Sequence, residues 1–99
     1  MRDIAVKVHE SEKGRIIGAC DIELLGRSLN EGELTVHISE EFYFGRHATP
    51  EEIIELLDKC LSANLIGKRV VGAYCKANPD AENHIMFVDG VPHLQIYRL

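Results

Sequence analysis

Thr49-Pro50-Glu51-Glu52 constrains this chain more than any other segment. A threonine hydroxyl accepts a bond from an amide three residues on, and proline is pre-set for the first helical position. A glutamate three residues after the cap reaches back to the capping residue's own amide. The combination predicts a helix that starts at Pro50. Ile53, Ile54, Leu57, Cys60 and Leu61 follow at helical spacing as one apolar stripe for a sheet, and Ser62-Ala63-Asn64 is expected to break the helix.

Strand-like segments stand on both sides of that helix. Ile4, Val6 and Val8 alternate with Ala5, Lys7 and His9, the period of a half-buried strand. Glu10 to Gly14 supplies a turn, and Arg15 to Cys20 returns, so the N-terminus predicts a hairpin. Asp21 can cap a short helical turn through Leu25, stopped by Gly26. A third strand is expected after Asn30-Glu31-Gly32, with Leu34, Val36 and Ile38 on one face. Phe42-Tyr43-Phe44-Gly45 falls in a connection.

A second helix is predicted from about Gly67 to Ala77, with Val70, Ala73, Tyr74 and Ala77 on one side. Gly72 inside it costs ~1 kcal/mol relative to alanine. Asn78-Pro79-Asp80 ends the helix. His84 to Val88 reads as a strand, Asp89-Gly90 as a tight turn, and His93 to Tyr97 as the last strand. The order β-β-β-α-α-β-β is an α+β arrangement. It implies a small mixed or antiparallel sheet of about five strands, with two helices packed on one face, as one domain over residues 1–99.

Composition excludes several function classes. At 45% hydrophobic and 27% charged residues, the chain is globular rather than disordered. Three scattered cysteines, Cys20, Cys60 and Cys75, leave one unpaired and point to a reducing, cytoplasmic setting. No apolar run approaches the ~20 residues of a membrane span, and the first residues lack a signal-peptide pattern. The formal charge of −5 removes the global field on which nonspecific nucleic-acid binding rests. Glycine spacing fits neither a phosphate loop nor a dinucleotide fingerprint, so no cofactor is expected. The five histidines and three cysteines include no ligand pair at helical or knuckle spacing, so no metal is expected either.

The candidate chemistry gathers around His93. In Val91-Pro92-His93 the proline fixes the backbone and with it the direction of the imidazole, as a site needs. The same proline also serves simply to block edge pairing. Cys20, beside a helical turn, has the setting of a reactive thiol, and Asp21 has the chemistry to orient a histidine. A buried core cysteine and a helix-capping aspartate account for the pair equally. The aromatic cluster Phe42 to Phe44 stacks a base in one reading and plugs the core in the other.

Five segments together resemble a known family. They are Val6-Lys7-Val8, Cys20-Asp21-x-Glu23-Leu24-Leu25-Gly26, Phe42-Tyr43-x-Gly45, Ala63-Asn64-Leu65-Ile66-Gly67 and Gly90-Val91-Pro92-His93-x-Gln95. In this order they resemble an uncharacterised archaeal family catalogued as domain of unknown function number 424. Phe44 departs from the pattern, which has a small residue there. The resemblance implies a small cytosolic archaeal protein with Asp21, Tyr43, Asn64 and His93 inside its recurrent motifs, and an association with translation or RNA processing.

Two functions are therefore expected. The first is a noncatalytic binding or accessory protein with a protein or ribonucleoprotein partner, its binding residues Tyr43, Asn64, His93 and Gln95. The alternative is a small hydrolase or transferase with His93 as general base, assisted by Asp21 or Cys20. A homodimer through the last strand or a helix face is the third arrangement the pattern allows.

Overall fold

The computed structural model describes residues 1–98. The elements in chain order are β1 (Ile4–Ser11), β2 (Gly14–Asp21), β3 (Ser28–Glu31), β4 (Leu34–His37), α1 (Glu40–Tyr43), β5 (Arg46–Ala48), α2 (Pro50–Leu57), β6 (Ser62–Ile66), α3 (Lys68–Ala77), β7 (Met86–Val88) and β8 (Val91–Tyr97). Short 3₁₀ turns occupy Ile22–Leu24 and Pro79–His84. Six strands form one mixed sheet in the order β5-β1-β2-β6-β8-β7, and β3 with β4 makes a separate two-stranded ribbon. Only β2 and β6 run parallel; the other neighbours in the large sheet are antiparallel. The α+β class and the mixed sheet agree with the sequence, with six strands where about five were expected.

The sheet has a core on each face. On one, the helical face, Ile4, Val6, Ile17, Ala19, Ala63, Leu65 and Leu94 pack against Ile53 and Leu57 of α2 and Val70 and Val71 of α3. On the other, the hairpin face, Ala5, Cys20, Ile66 and Val88 pack under Leu24, Leu29, Ile38 and Tyr43. The two expected helices do share a face. The expected third strand belongs instead to the ribbon covering the opposite face, which buries Ile38 and half-buries Val36 while Leu34 stays exposed.

The α2 start is as the sequence reads. Thr49 Oγ1 accepts from the Glu52 amide at 3.2 Å, and Glu52 Oε1 accepts from the Thr49 amide at 2.9 Å. Its end is not: α2 stops at Leu57, although Cys60 and Leu61 continue the apolar spacing. Arg98 explains the stop. Its guanidinium donates to the carbonyls of Leu57 (2.6 Å) and Cys60 (3.2 Å), placing a cation where the helix exposes unpaired carbonyls. An eight-residue helix is well short of the ~12–15 residues an isolated helix needs. Its two caps and the burial of Ile53 and Leu57 hold it.

Ser62-Ala63-Asn64, expected as a helix breaker, opens the central strand β6. It pairs in parallel with Ile16 to Cys20 and antiparallel with His93 to Tyr97. Phe42 and Tyr43 lie in the short helix α1 rather than in a bare connection, and Ser39 Oγ accepts from the Phe42 amide there. Gly72 sits on the outer side of α3, which forms because Val70, Val71, Tyr74 and Cys75 turn to the core.

Gly18 sets how closely α1 approaches the sheet. A Cβ at this position would fall on the Phe42 carbonyl and within 2.6–2.7 Å of its ring. Gly18→Ala is therefore expected to destabilise the fold by about 1–3 kcal/mol through overpacking, read as a lower urea midpoint with an unchanged slope.

Candidate functional site

Strand alternation decides which candidates can meet. Asp21 shares the helical face with Ile17 and Ala19, whereas Cys20 points to the hairpin face. Asp21 is 4% exposed, and its carboxylate accepts the amides of Arg69 at 2.9 Å and Val70 at 3.0 Å. It therefore caps α3 from a strand nearly fifty residues away in sequence. Gly67, at φ +123°, precedes that helix; a Cβ there would collide with the Asp21 carboxylate, so only glycine allows the approach. Burial pushes the Asp21 carboxyl up from its ordinary value, and the two amide donors pull it back. Arg69 closes the arrangement outside, donating to both Glu23 oxygens at 2.6 and 2.7 Å.

Cys20 is fully buried. Burial, with the charges of Asp21 and Glu23, pushes its thiol up to about 12, so no thiolate is available near neutral pH. Tyr43 belongs to the same cluster and is likewise pushed up to about 12, by burial first and by Cys20 second. It plugs the core and does not reach the surface shared by the other binding candidates. Phe42 is half-buried and stacks on His9 at 4.8 Å between ring centroids, while His9 Nε2 lies 2.9 Å from the Phe42 carbonyl.

His93, Asn64 and Gln95 do come together. Asn64 and Gln95 are direct partners in the β6–β8 register, and His93 lies two residues along β8 on the same face, opposite Ile66. Gln95 is exposed, while Asn64 and His93 are half-buried at the margin where the ribbon's cover ends. Gly18 precedes Asn64 in the same row, with Phe42 standing over it as a wall.

Cys20 also shares this face, but β6 and Ile66 stand between it and His93. Two strand spacings put them roughly 10 Å apart. The side chains that a general-base arrangement needs within hydrogen-bond reach therefore do not converge: Asp21 lies across the sheet and Cys20 lies behind Ile66.

His93 has neighbours that sequence spacing did not single out. His84, Met86, His93 and Gln95 line a depression of about 230 Å³. Met86 is the direct partner of His93 across the β7–β8 hairpin, whose turn residues Asp89 and Gly90 both have positive φ. Counting outward from a two-residue Asp-Gly turn pairs 88 with 91 and 86 with 93, so this signal was available. The position of His84 came only with the fold. His93 Nε2 is shut away from solvent and has no hydrogen-bond partner among the described residues. Burial lowers its pKa, which favours the neutral ring. Among the described residues, no group of three or more His, Cys, Asp or Glu side chains is placed to hold a metal ion. No helix among them is long and apolar enough to cross a membrane.

A family model described as "Protein of unknown function (DUF424)" matches residues 9–99. The chain belongs to this family. Its fold is similar to the crystal structure of an uncharacterized conserved protein from the archaeon Methanopyrus kandleri, with a TM-score of 0.76 and 30% sequence identity over 97% of this chain and 91% of that one. No curated protein matches the chain. The segments that carry the sequence resemblance divide between two places in the fold. Asp21, Glu23 and Gly67 build the α3 cap, and Asn64, His93 and Gln95 build the half-open surface.

Two outcomes are expected. Asp21→Ala removes two charge-assisted bonds and strands two amides at a buried helix end, costing about 2–4 kcal/mol in denaturant unfolding. For His93, the unfolded imidazole titrates near 6.5 and the folded one lower. Between those values the unfolded chain binds the proton and the fold does not, so stability falls as pH drops below about 6.5. His93→Gln is expected to flatten that part of the melting-temperature profile against pH. A parallel profile would show that the ring is not held neutral.

Proposed function

We propose that this chain is a noncatalytic binding protein, an accessory to a translation or RNA-processing complex, and that it meets its partner through the open half of the hairpin face. The carrying observation is the register that sets Asn64 opposite Gln95 with His93 beside them, on a part of the sheet that the ribbon leaves uncovered. Two primary amides side by side offer both donors and acceptors to a peptide group or an unpaired base. The Phe42–His9 stack bounds them with a flat wall. Asp21 and Cys20, by contrast, are committed inside the fold, one as a helix cap and one as core.

The formal charge of −5 argues that affinity comes from these polar contacts rather than from phosphate neutralisation, so binding is expected to depend weakly on salt. The test pairs filter binding of structured RNA with co-purification from native extract. The tagged chain is compared with an Asn64→Ala/Gln95→Ala double variant. The parent is expected to retain a partner that the variant loses by roughly tenfold or more, with melting temperature little changed. No partner in either assay, or equal retention by the variant, would end the proposal.

A further inference from the structure

The last strand leaves half of one edge open. β7 pairs with β8 only at Val91, Pro92 and His93, whereas β6 accompanies β8 as far as Tyr97. In an antiparallel strand, successive residues turn their N–H and C=O groups alternately to one side and the other. The Pro92 carbonyl accepts from the Gly67 amide, and the Arg98 amide donates to the Leu61 carbonyl, so even-numbered residues face the β6 side. Gln95 and Tyr97 therefore direct their backbone groups outward, beyond the end of β7. No strand among the described residues pairs with them there.

This edge also lacks the usual guards. Leu94-Gln95-Ile96-Tyr97 carries no charge and no proline, and its isoleucine and tyrosine favour strands. The opposite side of the sheet differs. There β5 contributes Arg46 and His47, and the unpaired end of β1 carries Lys7, His9 and Glu10. Beside the unguarded edge, Tyr97 is 69% exposed and Met86 58% exposed. The depression between His84, Met86, His93 and Gln95 borders the same stretch.

We propose that a second copy of the chain occupies this edge, paired antiparallel about a two-fold axis at Ile96. Gln95 then lies opposite the partner's Tyr97 and the reverse, and the outward N–H and C=O groups of each copy satisfy those of the other. The two six-stranded sheets become one continuous sheet. On the hairpin face the partner's Tyr97 stands next to Gln95 and diagonal to His93, within reach of an aromatic side chain. It fills the depression beside the His93 ring. Each copy so completes the other's Asn64–His93–Gln95 surface. An uncharged strand edge is also where two copies that each carry −5 meet with least repulsion.

The interface holds or fails independently of the accessory role, because its test needs only the purified full chain. Light scattering coupled to gel filtration is expected to give twice the chain mass, falling toward the monomer on dilution. Tyr97→Lys alters an exposed position and leaves the core intact; it is expected to weaken the dimer by at least about tenfold. Gln95→Pro removes an outward N–H but none donated to β6, and is expected to give a monomer with an unchanged circular dichroism spectrum. In the parent, hydrogen exchange at the Gln95 and Tyr97 amides slows as concentration rises. A single-chain mass at every concentration overturns the proposal. So does a dimer that Tyr97→Lys leaves intact.

Discussion

The Asp21 carboxylate at the N-terminus of α3 is the constraint on which the rest of the structure depends. It joins the end of β2 to the start of α3 through two amide bonds, and it occupies the space that a side chain at position 67 would need. Because β6 runs directly into Gly67, this contact also fixes the parallel register of β2 and β6. The same peptide settles the proline of β8. The Gly67 carbonyl already accepts from the Val71 amide in α3, so the missing Pro92 N–H leaves no acceptor stranded there. A carboxylate that looks available for chemistry in the sequence is consumed by architecture.

Arg98 works as the counterpart at the other helix. One helix thus begins on a carboxylate from β2, and the other ends on a guanidinium that follows β8. Each charge sits where the helix dipole favours it, and each ties a helix to a strand distant in sequence. For helices this short, such bonds and the buried faces decide stability more than intrinsic propensity does.

The two faces of the sheet have different fates. The helical face is sealed by α2 and α3, and its polar group, Asp21, is satisfied. The hairpin face is sealed only where the ribbon, the first 3₁₀ turn and α1 lie over it. Beyond that cover, the outward residues of β6 and β8 are polar or aromatic: Ser62, Asn64, Gln95 and Tyr97. The boundary runs through His93, which is why a neutral, half-buried imidazole sits beside an exposed amide row. The proposed partner surface and the proposed dimer edge both follow from this uneven cover.

Where a segment carries its own hydrogen-bonding and periodicity, the sequence by itself determined the outcome. Thr49 to Glu52 closes its own cap, β1 alternates apolar and other residues before the turn into β2, and Asp89-Gly90 turns the last hairpin; each requires only neighbours in sequence. The segments that misled are those whose state is set by distant partners. Ser62 to Ile66 has no local strand signal, since Ala63 and Asn64 suit a break, yet strands on both sides make it central. Cys60 and Leu61 keep a helical spacing that Arg98 ends. Within the site, Asn64, His93 and Gln95 could be named from the chain, and the hairpin count reaches Met86. That Asp21 turns away from His93, and that Ile66 stands between Cys20 and His93, was decided only by tertiary structure. Adjacent strand residues point to opposite faces, and which face meets a helix depends on how far-separated strands line up.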